Sequence, residues 1–134
     1  QGIRVVPLVG PSSVLLALMA SGMNGQRFAF HGYLPVDREQ RRKKLLDLER
    51  LSVQQDATQI FIEAPYRNQA LLQAVLETCN GATLLCLATD ITLESESIRT
   101  QPMASWKNKP PDINRRPTVF LLYRSLSDLA STNS

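Results

Sequence analysis

The sequence predicts an α/β domain, a mixed sheet of about five to six strands with helices packed against it. Three observations predict it. Short apolar strand patterns alternate with helical ones over the first ninety residues, which calls for a sheet with helices on it. The last strand patterns follow one another without long helices between them, so some neighbours must run antiparallel. The chain has 134 residues, 43% hydrophobic and 20% charged. That is one domain's worth of ordinary globular composition. A chain of this length buries roughly two thirds of its unfolded surface, so it needs no disulfide or metal to fold.

Ile3 to Leu8 is a β-branched apolar run and reads as a buried strand. Gly10-Pro11-Ser12-Ser13 is a turn and helix start, with proline where its missing N–H costs nothing. The apolar helix that follows stops near Gly22. Arg27 to Tyr33 alternates as a second strand, with Phe28, Phe30 and Gly32 on one face. After Leu34-Pro35, Val36 to Leu51 reads as a helix with Leu45, Leu46, Leu48 and Leu51 as its stripe. Asp37 is its predicted cap, with Gln40 three residues on.

Gln59 to Glu63 is a third strand. A helix starts at Pro65, with Ala70, Leu71, Ala74, Val75 and Thr78 near its inner face, and Asn80-Gly81 stops it. Thr83 to Ala88 is wholly apolar and so central. Glu96 to Thr100 is short and polar, an edge strand. Ala104 to Trp106 is a helical turn, Lys107 to Arg116 a loop, and Thr118 to Tyr123 the last strand. The domain thus covers 1–124, with 125–134 a flexible Ser/Thr-rich tail.

Composition excludes some functions. No apolar run reaches the ~18 to 20 residues of a membrane helix. Cys79 and Cys86 make a poor metal or disulfide set, and Cys86 reads as core. The default compartment is a reducing cytoplasm. Neither G-x-G-x-x-G nor G-x-x-x-x-G-K-[ST] occurs. The single histidine, His31, reads as a packing or hydrogen-bonding residue of a strand. Asp90, Glu94 and Glu96 form an acidic cluster that reads as a solvated loop. The basic run Arg38, Arg41, Arg42, Lys43 and Lys44 could hold phosphates. Interleaved with Glu39, Asp47 and Glu49, it reads first as a solvated helix face.

Two junctions stand out. At Gly10 to Ser13 a strand gives way to a helix N-terminus, which offers free N–H groups and a positive dipole end. At Glu63-Ala64-Pro65-Tyr66-Arg67 the chain leaves the carboxyl end of a strand, where α/β sheets place their ligands.

These junctions carry a resemblance. Val5-Val6-Pro7-Leu8-Val9-Gly10-Pro11-Ser12-Ser13 resembles the "VVPLPGPSA" segment of the tetrapyrrole methylase superfamily. Phe28-Ala29-Phe30-His31-Gly32-Tyr33-Leu34-Pro35, with Arg41-Arg42 beyond it, resembles the "FxFxGFLP…RR" of its rRNA small-subunit methyltransferase I branch. Thr58-Gln59-Ile60-Phe61-Ile62-Glu63-Ala64-Pro65-Tyr66-Arg67 resembles that branch's "TLIFYESPHR". The match runs from about residue 2 to 124. Tyr66 stands where the branch has histidine. Thr89-Asp90-Ile91-Thr92-Leu93 stands where it has Arg-Glu-Leu-Thr-Lys, two basic residues fewer.

The resemblance implies the C-terminal domain of a class III S-adenosylmethionine-dependent methyltransferase. The acceptor would be 16S rRNA ribose or a tetrapyrrole. The cofactor, S-adenosyl-L-methionine, would lie in a cleft against an N-terminal domain outside this chain. Its implied contacts are Gly10, Pro11 and Ser12; Ile62, Glu63 and Ala64; Ile91; and Pro117, Thr118 and Val119. Tyr66 and Arg67 are the implied substrate contacts. No catalytic residue and no metal ligand is expected in this chain, which alone should be inactive. The implied partners are the N-terminal domain, a second copy in a homodimer, and the substrate, with no membrane. The alternative is a non-enzymatic module that binds RNA through the basic helix 36–51, or that dimerises.

Overall fold

The computed structural model describes residues 10–23 and 25–125. The strand expected over Ile3 to Leu8 and most of the tail lie outside the described residues. The elements run α1 (Pro11–Ser21), β1 (Phe28–Tyr33), α2 (Arg38–Gln55), β2 (Thr58–Ile62), a 3-10 turn (Pro65–Arg67), α3 (Asn68–Thr78), β3 (Leu84–Thr89), β4 (Ser97–Pro102), α4 (Met103–Asn108) and β5 (Thr118–Tyr123).

The five strands form one mixed sheet in the order β1-β2-β5-β3-β4. β1 and β2 are parallel, joined across α2, and every other pair is antiparallel. Among the described strands, the last in sequence is therefore the central one. Thr118 to Leu122 are buried without a break, as a strand covered on both faces must be. β3 is interior, flanked by β5 and β4, and β4 is the polar edge that its Ser, Arg and Thr residues predict.

The two faces of the sheet are covered unequally. On one, Leu45 and Leu48 of α2, Leu71, Leu72 and Val75 of α3, and Met103 and Trp106 of α4 pack with Phe61, Leu85, Phe120 and Leu122. On the other, α1 is the one described helix, and it brings Val14, Ala17 and Leu18 against Ile60, Cys86, Ala88, Val119 and Leu121. Phe28 and Phe30 stay 43% and 50% exposed. Phe30 is paired with Ile60 in the parallel register, so both phenylalanines lie on the α1 side, beyond the reach of that one helix.

Local signals explain most element ends. The Asp37 side chain accepts from Gln40 N at 3.0 Å, capping α2. Gly22 ends α1 in the left-handed region at φ 76°, which glycine adopts freely. α2 continues four residues beyond Leu51 because of a tertiary tie. Buried Ser52 accepts from Arg124 N at 2.8 Å, fastening the last turn to the end of β5.

The inner face of α3 is turned somewhat from the expected one, though Leu71 and Val75 are buried and Ala74 packs on the core as expected. Asn68, Leu71, Leu72, Val75 and Leu76 are buried, whereas Ala70 is exposed. The helix begins only after the 3-10 turn, and the Asn68 amide is bound to Arg116 O at 2.6 Å. That bond sets the rotation of the helix. His31 does hydrogen-bond, its Nε2 lying 2.6 Å from Gln59 Oε1.

Both cysteines are free and buried. Burial pushes the Cys79 thiol well above its ordinary range, with the Glu49 carboxylate adding to the rise and Lys107 opposing it. Burial also raises Cys86, partly offset by a hydrogen bond with Thr100. A raised native pKa gives stability that is complete below the unfolded thiol's pKa and is lost above it. Unfolding free energy should thus fall above about pH 8.5, chiefly through Cys79, by about 1.4 kcal/mol per pH unit for that thiol. Urea titrations at pH 7, 9 and 10 test this. Cys79→Ala should remove most of the thiol slope, and an unchanged slope in that variant would refute the assignment.

Candidate functional site

Most of the residues implied by the resemblance meet at one end of the sheet. β2 ends at Ile62, opposite Val119 of β5, and β3 ends at Thr89, opposite Thr118. The segments that leave these ends are Glu63 to Arg67, Asp90 to Glu96, and, arriving at β5, Ile113 to Pro117. The antiparallel register carries them together: Ile62, Glu63, Ala64, Ile91, Pro117, Thr118 and Val119 share this end. Ile91 is half-buried and packs on the same core cluster as Ile62 and Ile98. Thr118 and Val119 are fully buried, so they shape the floor of the site from below.

The N-terminus of α1 stands over the same end. Gly10, Pro11, Val14, Leu15, Phe30 and Ile62 line a hollow of about 400 Å³ with almost wholly apolar walls. A Cβ at Gly10 would meet nothing within 4 Å, so the backbone there faces open space. Gly10 O already accepts the first amides of the helix, from Ser13 and Val14 at 3.1 and 3.3 Å. Ser12 is exposed on the first turn and does not line the hollow.

Glu63 is nearly buried. Its Oε1 accepts from Ala64 N at 2.7 Å and lies 3.1 Å from Arg67 Nε. The amide of Ala64 is thereby satisfied within the loop, and Ala64 O accepts from Arg67 N at 2.8 Å. This segment therefore offers a ligand its shape more than its Ala64 amide. The Arg67 guanidinium lies 4.6 Å above the Tyr66 ring, and Tyr66 is exposed. Partial burial pulls the pKa of Arg67 down, but Glu63 and Tyr66 more than offset it and leave it above its ordinary value. The cation–ring pair is a flat, partly exposed platform next to the site, its charge balanced by Glu63.

Sequence reasoning missed two groups here. Phe30 was placed on a strand face, yet nothing local says that this face opens beside Gly10. Asp90 was expected in a solvated loop. It is instead buried, and its Oδ2 pairs with Arg116 Nε at 2.8 Å, while Glu94 and Glu96 are exposed as expected. The available signal was the pairing of the strands: if β3 and β5 are antiparallel, Asp90 must face the residues just before Thr118.

The basic residues of α2 lie elsewhere. Arg38, Arg41 and Arg42 line a groove between α2 and α3 that also holds Asp37, Glu39 and Glu77. Opposite charges thus balance along that groove. Among the described residues, no helix is long and apolar enough to cross a membrane, and no group of three or more His, Cys, Asp or Glu is placed to hold a metal.

The ribosomal RNA small subunit methyltransferase I of Vibrio cholerae is 39% identical over 125 residues, which cover 91% of this chain and 42% of the relative. The chain is a relative of the rRNA small-subunit methyltransferase I proteins. Branch members from Mesorhizobium japonicum and Escherichia coli O157:H7 are 40% and 33% identical over 100 and 124 residues. No family model matches the chain. The chain spans less than half the length of these curated branch members. Among solved structures, the methyltransferase CobJ shares the fold with a TM-score of 0.53 at 18% identity, over 83% of this chain and 47% of that one.

Proposed function

We propose that this chain is the C-terminal part of an S-adenosylmethionine-dependent methyltransferase that acts on 16S rRNA ribose in the cytoplasm. The observation that carries this reading is the meeting of the Gly10–Ile62 hollow with the three loops at one sheet end. It stands beside the kinship with proteins named for small-subunit rRNA methylation.

The residues present suit the cofactor. An adenosine end gains most from flat apolar walls and a few polar contacts. Pro11, Leu15, Phe30 and Ile62 supply such walls, and the open backbone at Gly10 leaves room beside them. The cofactor, when bound, supplies a methyl group on a sulfonium sulfur. This chain's part is to bind, orient and exclude water, and such positioning accounts for much of the rate in displacements of this kind. The Tyr66–Arg67 platform would receive the acceptor, since a stacked ring and a cation suit a nucleotide. The N-terminal domain would close the cleft, and the enzyme would work as a homodimer.

The test is a calorimetric titration of S-adenosylmethionine into the full-length protein, with transfer of labelled methyl to small ribosomal subunits as the second readout. Saturable binding and labelling of the RNA are expected. No binding would sink the reading, and labelling of a tetrapyrrole instead would replace the acceptor. The 134 residues alone should bind at best weakly, because they form one wall of the cleft. Micromolar affinity in that fragment would contradict the shared cleft.

A further inference from the structure

We infer that Asp90 and Arg116 form a positioning pair that holds two loops of the site, 90–96 and 113–117, in register, and so sets the affinity for the methyl donor; this rests on the function proposed above.

The bonds around this pair converge on one place. Asp90 Oδ2 accepts from Arg116 Nε and from Ser95 Oγ, both at 2.8 Å. Arg116 Nη2 donates to Ser95 O at 3.1 Å. The main chain runs the same way, with Asp90 N donating to Pro117 O at 2.9 Å. Arg116 O then accepts from the buried Asn68 Nδ2 at 2.6 Å and from Thr118 Oγ1 at 2.9 Å. A third tie joins Arg115 N to Pro65 O at 3.0 Å. Loops that are separate in sequence are thus fastened to each other where the site residues lie.

The backbone is held where it would not rest by itself. Four described residues other than glycine have positive φ, and three of them, Asp90 at 53°, Thr92 at 73° and Arg115 at 61°, belong to these loops. The fourth, Asp56, merely ends α2. A β-branched residue such as Thr92 is a genuine outlier there, and such strain gathers where function requires a set shape. Thr92 N is itself held, at 2.8 Å from Glu96 Oε1.

Stability alone does not account for the pair. Arg116 is 39% exposed, which discounts the pair's worth to global stability, although the Asp90 side chain, at 8%, is left buried and unpaired when Arg116 is removed. Its value lies in placing Ile91 and Pro117, since small displacements of a binding wall weaken ligands sharply.

The experiment uses the full-length protein. Asp90→Ala and Arg116→Ala should each weaken S-adenosylmethionine binding about tenfold, measured well below each variant's thermal midpoint, which itself falls because a nearly buried pair is broken. The double variant should be no weaker than either single, because both remove one device. Arg116→Lys, which keeps a charge but only one donor arm, should fall between. Amide exchange over 90–96 should quicken in all of them. Should Asp90→Ala fail to fold, Arg116→Lys carries the test with an expected loss of about threefold. Affinities within twofold of the parent, or losses that multiply in the double variant, would overturn the inference while leaving the proposed function intact. A parent protein that fails to bind would instead overturn both.

Discussion

Phe120→Ala should lower the unfolding free energy by about 3 to 5 kcal/mol. Phe120 is fully buried in the central strand and stacks on Phe61, with ring centroids 5.4 Å apart and planes 13° from parallel. It also faces the largest cluster, between α2, α3 and α4. Alanine there removes a ring that neighbours on two flanking strands cannot move to replace. Domains hold only about 5 to 15 kcal/mol in total, so this one change should consume a large share. Urea unfolding midpoints measure it. Leu93→Ala, at an exposed loop position, should stay within about 0.5 kcal/mol. A loss under 1 kcal/mol for Phe120→Ala would mean that β5 is not the centre of the sheet.

Pro117→Arg should weaken S-adenosylmethionine binding by the full-length protein at least about tenfold, or 1.4 kcal/mol. Extending the β2–β5 register sets Pro117 across from Ala64, and its carbonyl already holds Asp90 N. A long cationic side chain at this point would fill the wall and repel a sulfonium ligand. Pro110→Arg adds the same charge in an exposed loop beside α3 and α4, and it should leave binding unchanged. Equal affinities for the two variants would remove the start of β5 from the site.

How much of this was legible in the sequence depended on range. The bounds of β5, Thr118–Tyr123, are the expected ones, because an unbroken apolar run between a loop and a polar tail admits little else. The Asp37 cap was legible for the same reason, since cap and bonded amide are three residues apart. The mixed sheet followed from the crowding of the late strands. The rotation of α3 did not, because Asn68 is fixed by Arg116 from 48 residues away. Nor did the burial of Asp90. A carboxylate among polar neighbours reads as solvated until the strand order brings an arginine to it across 26 residues. The site was legible as a set of motifs, but the bonds between its loops were not.

The place of β5 has a consequence for how the molecule is made. During synthesis β1 and β2 emerge early, and β3 and β4 later. Neither pair can join the other until the strand between them leaves the ribosome. Until residue 123 is out, Ile60, Phe61, Leu85 and Cys86 line open strand edges, a state prone to wrong partners. Non-local closure of this kind is also slow. A nascent chain arrested before Thr118 should therefore resemble two unjoined halves, and a chaperone that shields apolar strands would find its natural client at that moment.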